Sequence, residues 1–150
     1  MDTIDISGSS VRIDEIAYNN FFISCFYGSK CIGYIDAFVY ETLYSMYFHL
    51  NECISREIAE RFLDFYNSGS RIIDISKIVI WNGFNACSIF DSLMIHTAGR
   101  FSDSQFFACS HVKSPIDSGI VDVMKRKFDF VEVVAPDVER MYICRRLREP

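Results

Sequence analysis

The chain has no excess of positive charge. Twenty acidic residues against 15 basic ones leave a net charge of −5, which argues against a broad phosphate-neutralising surface for duplex nucleic acid. Nowhere do about 18 apolar residues follow one another, so no membrane-spanning helix is expected. The opening residues, MDTIDISGSS, carry acid where a secretory leader carries base, and they lack its apolar stretch; a cytoplasmic location is expected. The cysteines at 25, 31, 53, 87, 109 and 144 form no CxxC pair, and four of them fall in strand-like apolar runs. They read as reduced core thiols rather than disulfides or metal ligands. The three histidines lack metal-ligand spacing, so no zinc is expected. No repeat, low-complexity tract or linker divides the 150 residues, which predicts a single domain.

What the chain does have is bulk. Half of it is hydrophobic and 15% is aromatic, with 14 Phe and 8 Tyr. That is ample core material, and any surplus left on the surface favours a homodimer or a partner interface.

Residues 11–17 alternate weakly and predict a first strand. In NNFFISCFYGSKCIGYIDAFVY two apolar runs flank Gly28-Ser29, a hairpin signature of the type II′ turn whose register pairs Phe26 with Cys31 and Ile23 with Tyr34. The second run continues to residue 50 and is expected to bend near Glu41. Ile54, Ile58, Phe62, Phe65 and Tyr66 then recur at helical spacing, and Asn67-Ser68-Gly69 stops them. A strand over 71–81 leads through a turn at Gly83 into a helix, which Ser88 and Asp91 start as a capping-box-like pair and Gly99 ends. The stretch 105–112 reads as a strand. SPID at 114–117 supplies a cap Ser, a first-position Pro and a third-position Asp for another helix, with a stripe of Ile116, Ile120, Met124 and Phe128. FVEVV and RMYICRRL close the chain as strands. The expected fold is an α/β mixed sheet: an N-terminal antiparallel hairpin, then strand, helix, strand, helix, strand, strand.

From residue 71 onward this order resembles the second half of the GNAT N-acyltransferase fold. In DISKIVI, Asp74 aligns with the acidic residue of that family's E-l-x-x-l-x-V strand. The later N-x-x-A-x-x-L-Y-x-K-x-G-F signature falls on Ser118, Val121, Met124, Lys125, Lys127, Asp129 and Phe130; Met124, Lys127 and Phe130 agree with it, and the usual general-acid Tyr is Lys125 here. The family's glycine-rich R/Q-x-x-G-x-G/A loop reads Asn82-Gly83-Phe84-Asn85-Ala86-Cys87, with one glycine. The family's helix pair between its first and second strands is missing, and the helix at 54–67 falls between the third and fourth instead. The resemblance implies acetyl-CoA as acyl donor and a small-molecule or protein amine as acceptor. It also implies a coenzyme site formed by Ile80, Phe84, Asn85, Ala86, Cys87 and Ser88.

Amine acylation needs a base to strip the proton from the amine. Asp74, a carboxylate in an apolar strand, fits that role; its plainer reading is a residue that solvates a strand edge. His111 follows a strand and precedes a helix start, where ligands collect in open α/β sheets, and is the second catalytic candidate; its plainer reading is an exposed strand-end histidine. Cys109 and His111 share a strand face but stand too far apart for a thiol–imidazole pair. The basic cluster of Lys125, Arg126 and Lys127 with Arg145, Arg146 and Arg148 could gather around a phosphate or acidic partner, or serve as a solvated face. The competing functional reading is a non-catalytic interaction protein on the same scaffold.

Overall fold

The computed structural model describes residues 8–42, 45, 71–81, 83–110, 116–134 and 140–144. They form seven strands, β1 (Ser9–Ala17), β2 (Asn20–Tyr27), β3 (Lys30–Tyr40), β4 (Ile72–Ile80), β5 (Gln105–Ser110), β6 (Val131–Val134) and β7 (Arg140–Cys144). Two helices cross over between them, α1 (Ala86–Arg100) after β4 and α2 (Ser118–Lys127) after β5. All seven strands lie in one mixed sheet, in the order β1-β2-β3-β4-β5-β7-β6. The expected GNAT-like order of the C-terminal half is the observed one. The helix expected over 54–67 lies outside the described residues. Glu41 begins a bend, as expected, but β3 ends at Tyr40 and Ser45 beyond the bend is helical, so the strand does not continue through Ser45 toward residue 50 as expected.

The β2–β3 hairpin turns at Gly28, whose φ of +63° is open to glycine and costly for most other residues. Phe26 pairs with Cys31 as expected, but Ile23 pairs with Ile35, not Tyr34. Ile32 is an extra residue that shifts the register by one between the turn and Cys25, as bulges do.

Alternation sorts the strands into two faces. Phe21, Ile23 and Cys25 of β2, Ile35, Ala37 and Val39 of β3, Ile73 and Ile75 of β4, and Phe106 and Ala108 of β5 share the face under α1 and α2, where they are buried in one core. Onto it α1 lowers Ile89, Phe90, Leu93, Met94 and Ala98, and α2 lowers Ile120 and Met124. Fully burying such a side chain contributes about 1.5–3 kcal/mol. A Cβ on Gly33 would lie 3.0 Å from Ile89 Cγ2 and 3.1 Å from the Val79 carbonyl, so glycine is what lets α1 seat on β3. The opposite face carries Phe22, Tyr34, Asp36, Phe38, Tyr40, Ile72, Asp74 and, at the end of β4, Trp81.

Candidate functional site

The central feature is where β4 and β5 part. They pair in parallel from Ile72–Gln105 to Ile75–Ala108. β4 nevertheless continues to Ile80 along β3, and β5 continues to Ser110 along β7. Among the described residues the two strands therefore fork beyond Ile75 and Ala108, and residues 76–80 have no ladder partner in β5.

A local irregularity lies in β4 itself. Ala37 pairs with Ile75 and Asp36 with Lys77, which leaves Ser76 as a bulged residue; its hydroxyl donates to the Asp36 carbonyl oxygen at 2.9 Å. A bulge bends its strand and increases the local twist, and this one falls immediately after Ile75, where the β4–β5 ladder ends. The fork opens at the carboxyl ends of parallel strands, where open α/β sheets bind their ligands.

Asp74 stands just before the fork, opposite Phe38 of β3 and beside Phe107 of β5. β4 is an interior strand, so Asp74 does not serve as the solvated residue of a sheet edge. Burial raises its carboxyl from 3.8 to about 7, and the neighbouring negative charge of Asp36 adds to the rise. Both effects disfavour the charged form. The Asn20 side-chain amide donates to Asp36 Oδ1 at 2.6 Å, whereas no hydrogen bond to the Asp74 carboxyl exists among the described residues.

The start of α1 differs from expectation. Its N-cap is Asn85, whose side-chain oxygen accepts from the Ser88 amide at 3.1 Å, and the Asn85 carbonyl accepts from the Ile89 amide. Ser88 is thus the third helical residue and not the cap, and Asp91 stands beyond the first turn, where it pairs with Lys127 at 3.1 Å. The first turn of α1 therefore carries no acidic side chain. Of the first-turn amides, those of Ala86 and Cys87 carry no hydrogen bond among the described residues. Gly83 turns the chain with φ +94°. Phe84 packs its ring 6.3 Å from Tyr27, with Lys30 Nζ 6.0 Å from its centroid, and Ile80 points to the helix face and packs on the core. Trp81 turns to the opposite face, 6.0 Å from Tyr34.

The start of α2 lies close by, since a Cβ on Gly119 would meet Cys87 Sγ at 3.0 Å. Its cap is Asp117, which accepts from the Gly119 amide at 2.8 Å and the Ile120 amide at 3.4 Å; the expected cap, Ser114, lies outside the described residues. The basic cluster on α2 is engaged in ion pairs: Lys125 with Glu132 at 3.7 Å, Arg126 with Asp122, and Lys127 with Asp91. His111, Asn82 and residues 145–150 lie outside the described residues, as does the Cys109 side chain. Cys25 and Cys144 are buried and Cys31 and Cys87 half-buried, with no disulfide joining them; the Cys144 thiol donates to the Phe128 carbonyl at 3.0 Å. No cluster of His, Cys, Asp and Glu suited to a metal occurs among the described residues. Nor is any helix among them long and apolar enough to cross a membrane.

Sequence reasoning singled out Asp74 but missed Asp36 and the fork. The signal for Asp36 was present, an acid between Ile35 and Ala37 in an apolar run.

No protein-family model matches the chain, and no curated protein matches it. Among solved structures it is similar to Arabidopsis thaliana Naa50 in complex with the bisubstrate analogue CoA-Ac-MVNAL, at 10% identity and a TM-score of 0.46, over 81% of this chain and 69% of that one.

Proposed function

We propose that the protein is an acyl-coenzyme A-dependent N-acyltransferase that transfers an acetyl group to an amine, with Asp74 as general base. The observation that carries this reading is the fork between β4 and β5, with a carboxylate at its base that has no hydrogen bond among the described residues. In this reading the thioester enters the fork, and those backbone amides of residues 76–80 that point toward β5, where they have no ladder partner among the described residues, supply donors for the oxyanion. Ala86 and Cys87 offer amides to the pyrophosphate, while Ile80, Phe84, Asn85 and Ser88 form the surrounding wall. A carboxyl near 7 is suited to general-base work at neutral pH. Asp74 takes a proton from the ammonium acceptor, the freed nitrogen bonds to the acetyl carbon, and the carbon–sulfur bond breaks. The proton still in excess on the nitrogen passes to the departing thiolate sulfur, which leaves a neutral amide and a thiol. His111 belongs to the proposal as a second proton carrier.

The same reading includes a cytoplasmic location and a homodimer. Ile16 and Tyr18, 51% and 82% exposed at the edge of the sheet, are apolar surface that a second copy would cover.

The test is acetyl transfer to a panel of amines by the native protein and by Asp74→Asn. Native turnover is expected to rise with pH through about 7 and the variant to lose 10²-fold or more, in the range of a lost general base. Acetyl-CoA binding without any Asp74-dependent transfer would favour the interaction-protein reading.

A further inference from the structure

The sheet face away from α1 and α2 joins two features, of which the proposed reaction uses Asp74 alone. One is the carboxylate pair of Asp36 on β3 and Asp74 on β4, which share this face because Asp74 pairs with Phe38, two residues from Asp36, and the Asp36 charge acts on Asp74. The other is a run of aromatic rings around it. Phe22 and Tyr34 lie 5.2 Å apart, Tyr34 and Trp81 6.0 Å, and Phe38 and Tyr40 5.0 Å. Phe38 is 36% exposed and Trp81 42% exposed. Phe38 pairs directly with Asp74, and Asp36 lies two residues away on the same strand face.

Aromatic faces attract organic cations and carry no preference for anions. Carboxylates do the same and repel negatively charged ligands. Among the described residues the other charges on this face are Arg12 and Asp14, which pair with each other at 2.6 Å, and Lys77 opposite Asp36, an exposed side chain. Asp36 keeps its Oδ2 free of hydrogen bonds among the described residues, since Asn20 occupies Oδ1.

We infer that this face is the acceptor site and that it selects an alkylammonium group carrying no nearby negative charge, with Asp36 as counter-ion and Phe38, Tyr34 and Trp81 as the walls over which its alkyl chain lies. The inference takes its chemistry from the acyltransferase reading. It divides the two acids by role: Asp74 handles the reacting proton, and Asp36 determines specificity by holding the cation. Amines bearing a carboxylate or phosphate close to the nitrogen are excluded.

The experiment is calorimetric titration of the coenzyme-free protein with butylammonium, 1-butanol and butyrate, followed in parallel by the fluorescence of Trp81, the chain's single tryptophan. Butylammonium is expected to bind saturably and to change the emission, and the neutral and anionic analogues to do neither. Asp36→Asn should weaken the cation about tenfold. Phe38→Leu, which keeps the acids and alters a half-exposed ring, should weaken it about fivefold and serves where Asp36→Asn does not fold. Equal binding of butanol, no saturable binding of butylammonium, or an affinity that neither substitution changes overturns the assignment. Because coenzyme is absent throughout, failure here is distinct from failure to bind acetyl-CoA.

Discussion

Among the described residues Ile75 and Ala108 form the last pair between β4 and β5, and Asp74 is the carboxylate immediately before them. If the fork receives the thioester, acetyl-CoA will protect the backbone around it. Hydrogen exchange should slow at those amides of residues 76–80 that do not bond to β3, and at Ala86 and Cys87, while α1 beyond Phe90 stays unchanged. Protection spread evenly over the sheet would point to general stiffening instead.

Asp74 also makes stability depend on pH, with a definite sign. Its carboxyl is raised from 3.8 to about 7 in the folded state, so between these values the folded protein holds a proton that the unfolded chain releases. The folded state is therefore favoured at low pH and loses that advantage as pH rises from about 4 through 7. The rise corresponds to about 4 kcal/mol as an upper bound. Asp74→Asn is expected to flatten the pH dependence of denaturant unfolding over this range and to be more stable than the native protein at pH 8. A native protein whose stability does not fall between pH 5 and 8 would show that Asp74 is better solvated than its surroundings imply.

Asn85 is the cap of α1, so Asn85→Ala should cost about 1 kcal/mol, visible in urea unfolding. It frees the Ser88 amide, and acetyl-CoA affinity should hold or rise, since one more donor then faces the pyrophosphate. A cap variant of unchanged stability would place the start of α1 elsewhere.

Gly33→Ala puts a methyl group 3.0 Å from Ile89 Cγ2 and 3.1 Å from the Val79 carbonyl. Because the Val79 contact is backbone, β4 must give as well as the Ile89 side chain, at about 1–3 kcal/mol. Thermal melting checks this, and a variant as stable as the native chain would mean that β4 and Ile89 give way without cost.

The sequence was most legible where one residue type has one conformational use. Gly28 announced its turn, and the alternation beside it announced two strands. Legibility failed where a position depends on another strand. The bulge at Ile32, which moved Ile23 from Tyr34 to Ile35, has no composition of its own. Nor has the bulge at Ser76, and the fork is a difference between two registers that no single segment encodes. The cap of α1 was ambiguous for a chemical reason: Asn85 and Ser88 are both good capping residues, and Asp91 three positions after Ser88 imitated a capping box. Asp74 stood out as an acid in an apolar strand; Asp36 carried the same mark, but only the pairing of β3 with β4 brings them together.

The central claim is that the fork and the start of α1 hold an acyl coenzyme. Calorimetric titration with acetyl-CoA tests it most directly. The account predicts saturable one-to-one heat, and at about a hundred times the dissociation constant a stabilisation near 2.7 kcal/mol. No heat and no change in melting temperature at millimolar coenzyme would contradict it.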